Sequence, residues 1–155
     1  MSAKGNVVEA TLKDVLKKAG FTKGTGHRWV KIDADSTILI ELQRSQWAKE
    51  FYINFGVFYH PKQEPPSRPR FVDAHLGGRI QALHPNRSAS HLNRALNLQG
   101  SKMTDEARAS AIERWLTLSL PLIDEFRNLK NLRSHPRRIE EMRSNGIFYT
   151  LDETT

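Results

Sequence analysis

The chain has no cysteine, which excludes disulfide frameworks, thiolate zinc sites and thiol nucleophiles together. It has no apolar run near the roughly 18–20 residues that span a bilayer, so no transmembrane helix is expected. The opening Met1-Ser2-Ala3-Lys4-Gly5-Asn6 lacks the apolar stretch of a secretory signal, and a cytoplasmic location is the resulting expectation. Acidic groups are in deficit, 17 against 24 lysines and arginines, for a net charge of +7. That sign is wrong for an inhibitor that masks a basic active site, and it points to anions, acidic proteins or nucleic acid as partners. The same excess also suits a plain solvated surface.

Other chemistries are missing as well. Gly24-Thr25-Gly26 precedes a strand-like segment and not a helix, so it is no phosphate-binding loop. Ser45 lacks the glycine-flanked elbow of an exposed nucleophile. His75, His84 and His91 have no helical spacing and no carboxylate nearer than Asp73, so neither a metal nor a cofactor is expected.

What is present reads as a single α+β domain over residues 1–155, with an antiparallel sheet, an amino-terminal helix on one face and carboxyl-terminal helices over it or its edge. Val8, Leu12, Val15, Leu16 and Ala19 form one stripe at helical period, predicting a helix over 6–19 that Gly20 terminates and Phe21 folds back upon. Three strands follow, at 27–33, 37–44 and 51–59, close enough together to meander. Alternation puts Val30, Ile32, Ile38, Ile40, Leu42, Phe51, Ile53, Phe55, Val57 and Tyr59 on one apolar face. The other face is then Trp29, Lys31, Leu39, Glu41, Gln43, Tyr52, Asn54, Gly56, Phe58 and His60. It is either covered by later helices or lines a groove. If it is covered, the Gln43 and Asn54 amides need partners, since an unpaired buried amide costs roughly 1–3 kcal/mol.

Residues 60–70 hold four prolines and read as an exposed extended loop. From Phe71 to Leu98 the pattern is irregular, with Ala95–Leu98 offering an edge strand. Thr104 caps a second helix that Pro121 should kink or interrupt. Ser134 is expected to cap a third helix running to about Arg143. Asn145-Gly146 ends it, and Ile147–Leu151 supplies a short returning strand.

Several early segments are shared with a known pattern: Leu16-Lys17-Lys18-Ala19-Gly20-Phe21, Leu42-Gln43-Arg44-Ser45, Phe51-Tyr52-Ile53-Asn54-Phe55-Gly56-Val57 and His75-Leu76-Gly77-Gly78-Arg79-Ile80. Together these resemble a bacterial family known as domain of unknown function 4304. The resemblance covers about residues 12–85 and implies a small α+β domain without an assigned activity. It nominates Gln43, Ser45, Asn54, His75 and Arg79 as positions of interest.

The chemistry clusters in residues 60–102, where Lys62, Arg68, Arg70, Arg79, Arg87, Arg94 and Lys102 face only Glu64 and Asp73, with His60, His75, His84 and His91 among them. A guanidinium, an imidazole and the free amides of Gly77-Gly78 suit a phosphate or carboxylate. The expected anion site is His75, Arg79, His84 and Arg87, with the basic tail helix nearby. Trp29, Gln43, Ser45, Tyr52 and Asn54 form a candidate sheet-face groove. The alternative for Arg79 is a plain ion pair with Asp73 or Glu41. The function expected is a non-catalytic binding module for an anionic small molecule or an acidic protein surface, of accessory or immunity type. One rival is an enzyme with His75 as acid–base and Arg79 as anchor. The other is non-specific nucleic-acid binding.

Overall fold

The computed structural model describes residues 3–61 and 64–151, the side chains of residues 3–6 excepted. Helix α1 runs Ala3–Lys18 and buries Val8, Leu12 and Leu16 completely. Its end follows from one residue: Gly20 takes φ +92°, the Phe21 N–H reaches the Leu16 carbonyl at 2.9 Å, and the Gly20 N–H reaches that of Lys17 at 3.1 Å. This pair of hydrogen bonds closes the last turn and drops Phe21 into the core.

Six strands form one antiparallel sheet in sequence order: β1 (Thr22–Lys23), β2 (Arg28–Ile32), β3 (Ser36–Arg44), β4 (Phe51–Tyr59), β5 (Leu76–Arg79) and β6 (Phe148–Tyr149). Directly paired residues share a face, so the register sorts the side chains. Trp29, Ile40 and Phe55 lie in one row and Lys31, Ile38, Val57, Leu76 and Tyr149 in the next, and these rows face the main core. On the reverse face Val30, Leu39, Gly56, Gly77 and Phe148 form one row and Arg28, Glu41, Asn54 and Arg79 another. The alternation reading therefore needs a correction in β2. Trp29 and Lys31 belong to the core side, while Val30 and the exposed Ile32 belong to the reverse. Both faces of β2 carry an apolar residue, so its own pattern cannot choose between them, and pairing with Ile38 and Ile40 does.

Helix α2 (Ser90–Leu96) takes Ala95 and Leu96 out of the stretch Ala95–Leu98 expected as an edge strand, leaving a single antiparallel bridge from Asn97 to Glu50. Helix α3 (Asp105–Glu125) starts where Thr104 accepts the Ala107 N–H at 3.1 Å, and it continues unbroken through Pro121. It packs against α1 and α2 and contributes Ala111, Ile112, Trp115, Leu116 and Ile123 to the core. A short α4 (Leu129–Arg133) intervenes before α5 (Pro136–Ser144). Ser134 thus caps the carboxyl end of α4, its hydroxyl donating to the Asn131 carbonyl, and it does not cap α5, where His135 holds that position. Gly146, at φ +94°, turns the chain into β6.

The reverse face is covered in part, though not by helices. Phe71 opens a 3-10 turn (Phe71–Asp73) that lays Phe71 and Ala74 over the sheet, where they meet Leu39, Phe58 and Phe148. Gly56 and Gly77, paired across β4 and β5, make the seat. A Cβ on Gly56 would stand 2.9 Å from that of Ala74, and one on Gly77 would stand 2.5 Å from the Phe55 carbonyl oxygen. Of the proline-rich loop, Pro66 and Pro69 flank a small hollow beside Val30 and Ile32. Lys62 and Gln63 of that loop lie outside the described residues.

Candidate functional site

Beyond the Phe71 cover, the reverse face opens into a cleft of about 640 Å³. Gln43 and Asn54 from the sheet, Arg79 at the end of β5, the Phe71–Phe148 pair and Asn145 bound it. That volume is within the usual ligand range of ~300–1,000 Å³. The Phe71 and Phe148 rings meet edge to face at 5.4 Å and form an apolar wall.

The polar side rests on a single row of residues. Asn54 is 1% exposed, and its Nδ2 donates to Gln43 Oε1 at 2.9 Å. That bond gives the buried Asn54 amide a partner, as its burial demands, and leaves the Gln43 N–H groups uncommitted among the described residues. Arg28 donates from Nε to Glu41 at 2.8 Å, and Arg70 likewise to Asp73 at 2.9 Å. Both carboxylates that sequence reasoning offered to Arg79 are therefore engaged elsewhere. Arg79 instead packs over the Tyr52 ring, its guanidinium carbon 3.8 Å from the centroid. Among the described residues it makes no ion pair. Stacking holds the plane in place and leaves the N–H edge unspent. Arg79 is also the one ionisable side chain among the described residues that line the cleft.

Of the expected site residues, the structure brings together Gln43, Tyr52, Asn54 and Arg79. Trp29 lies on the core side, with Lys23 over its ring at 4.4 Å. Ser45 sits in the β3–β4 turn, where its hydroxyl accepts the Trp47 N–H at 3.2 Å. His75 is away from Arg79: its Nδ1 accepts the Tyr59 N–H at 2.9 Å, and its ring stacks on Tyr59 at 5.9 Å. Burial, then the neighbouring His60, holds its pKa below the ordinary imidazole value. His84 turns toward α3, pairing Nε2 with Ser119 Oγ at 2.9 Å and meeting Trp115 edge-on. Burial and then Arg87 depress its pKa in the same direction. Arg87 is exposed on the turn after His84 and does not line the cleft.

Sequence reasoning missed Phe71, Gln81, Asn145 and Phe148, all of which line the cleft. The paired glycines Gly56 and Gly77 were the available signal, because a glycine pair on a sheet face admits bulky rings from above. No helix among the described residues is long and apolar enough to cross a membrane. No curated protein and no solved structure matches the chain. The family model described as a domain of unknown function, DUF4304, matches residues 12–117, well over half of the sequence and including strands β3, β4 and β5 that line the cleft, and the chain belongs to that family.

Proposed function

We propose that this protein is a non-catalytic cytoplasmic binding domain whose cleft takes a small ligand bearing a carboxylate or phosphate. The observation that carries the reading is Arg79, a guanidinium oriented by Tyr52 at 3.8 Å and relieved of ion pairing because Arg28 and Arg70 hold the nearby acids. Its N–H edge receives the anion, the Gln43 amide adds a donor, and Phe71 and Phe148 cover the ligand's apolar part. The net charge of +7 favours approach of such a ligand. An acidic side chain of a partner protein, in an accessory or immunity-type role, would use the same contact. The catalytic alternative loses its proposed acid–base, since His75 Nδ1 is committed to the Tyr59 backbone and Arg79 is the one ionisable side chain among the described residues that line the cleft.

Titration calorimetry with inorganic phosphate, phosphomonoesters and a series of carboxylates tests the reading. Saturable binding at one site is expected, abolished in Arg79→Gln with the melting temperature unchanged. Absence of binding across the series, or equal binding by Arg79→Gln, would overturn it.

A further inference from the structure

Trp47, in the turn between β3 and β4, is 92% exposed, whereas Trp29 and Trp115 are 2% and 4% exposed. Its turn is braced. The Ser45 N–H donates to the Glu50 carbonyl at 2.8 Å, the Leu98 N–H donates to the Lys49 carbonyl at 2.8 Å, and the Lys49 N–H donates to Gln99 Oε1 at 3.4 Å. The indole is therefore presented by a held scaffold formed from this turn and the loop after α2.

The charge around it has one dominant sign. Arg44 at the end of β3, Lys49 on the turn, and Arg94 and Lys102 flanking the loop are all exposed and make no ion pair among the described residues. Beneath the loop lies Arg108, 1% exposed, which donates to the carbonyls of Arg94, Ala95, Asn97 and Ser101 at 2.8–3.2 Å. Among the described residues no carboxylate meets it. Its buried charge therefore adds to the surface potential instead of being cancelled. The acids close in sequence are Glu50, half-buried, and Asp105 and Glu106 in the first turn of α3. The amides of Gln46 and Gln99 complete the rim.

We propose that this surface binds single-stranded nucleic acid without sequence preference, with Trp47 stacking on a base and Arg44, Lys49, Arg94 and Lys102 meeting phosphates. The charge alone would also suit an acidic polypeptide, but such a chain has no use for the open face of an indole. A duplex hides its base faces. An unpaired strand uses both features at once. The site is separate from the Arg79 cleft and stands or falls independently of it.

Because the other two tryptophans are buried, Trp47 reports directly. Titrating the full chain with short oligothymidylate at low salt should quench its long-wavelength emission, and the affinity should fall steeply as salt is added. Trp47→Ala should weaken binding by roughly tenfold or more, Trp47→Phe should recover most of it, and a Arg44→Glu, Lys49→Glu variant should abolish it. Circular dichroism of each variant should match the parent, since none of these side chains is buried. Unquenched emission, equal binding by Trp47→Ala, or polyglutamate binding as tightly as the oligonucleotide would each overturn the proposal. Arg79→Gln should bind oligothymidylate as the parent does.

Discussion

Arg79 lies over Tyr52 with its guanidinium carbon 3.8 Å from the ring centroid, while Asn54, its partner across the β4–β5 ladder, is bonded to Gln43 and asks nothing of it. The relationship is unusual for an arginine in a row that also holds a glutamate. Arg28 explains it, because its Nε sits 2.8 Å from Glu41 and takes the charge that Arg79 would otherwise find. What remains is a cation fixed in orientation and free in chemistry.

If stacking positions that cation, the ring matters and the phenol does not. Tyr52→Phe should keep ligand affinity near that of the parent. Tyr52→Leu should lower it roughly two- to fivefold, the worth of an exposed cation–π contact. Titration calorimetry on both variants checks this, and equal affinities would mean that stacking does not position Arg79.

The core beneath the sheet sets a separate scale. Phe55 is 0% exposed and stacks on Phe126 at 6.3 Å, so Phe55→Ala should destabilise by about 3–5 kcal/mol in urea unfolding. Gly77→Ala should cost roughly 1–3 kcal/mol through overpacking, since its methyl would press on the Phe55 carbonyl and on Phe148. A wild-type stability for Gly77→Ala would mean that the Phe71–Phe148 cover is not seated as described.

Acidification should weaken the fold through two imidazoles. His75 and His84 both have native pKa values below the ordinary imidazole value of 6.5. Above that value both states are neutral and contribute nothing. As pH falls below it, the unfolded chain takes up protons that the native state refuses, and stability declines until the depressed native pKa values are passed. At His75 the cause is burial and then the neighbouring His60, and a proton on Nδ1 would in addition remove the acceptor of the Tyr59 N–H. Unfolding free energies measured across this window should fall with pH in the parent and fall less in a His75→Gln, His84→Gln variant. Equal slopes would remove these histidines as the source.

Much of the fold was legible where local chemistry is self-sufficient. Strand β4 has the bounds its alternation predicts, Gly20 ends α1 as its position requires, and Thr104 caps α3. The errors fall where an element is too short to show a period or where a partner decides. The five-residue α4 and seven-residue α2 carry no readable stripe. The two-residue β1 was passed over for the same reason. In β2 a single-residue ambiguity turned Trp29 to the wrong face. The site was legible in pieces. Gln43 and Asn54 were expected to need partners, and each is the other's. The freedom of Arg79 was not legible, because it depends on the register that gives Glu41 to Arg28 and on the 3-10 turn that gives Asp73 to Arg70.

The most direct test is the side-chain Nε–H resonance of Arg79, assigned through its loss in Arg79→Lys and followed by NMR during titration with phosphate or a carboxylate. A specific, saturable shift of that resonance, accompanied by the Gln43 amide and not by the paired Arg28 or Arg70, is the predicted result. An Arg79 signal that does not move, or one that moves only as much as every other exposed arginine, would contradict the assignment of the cleft as the binding site.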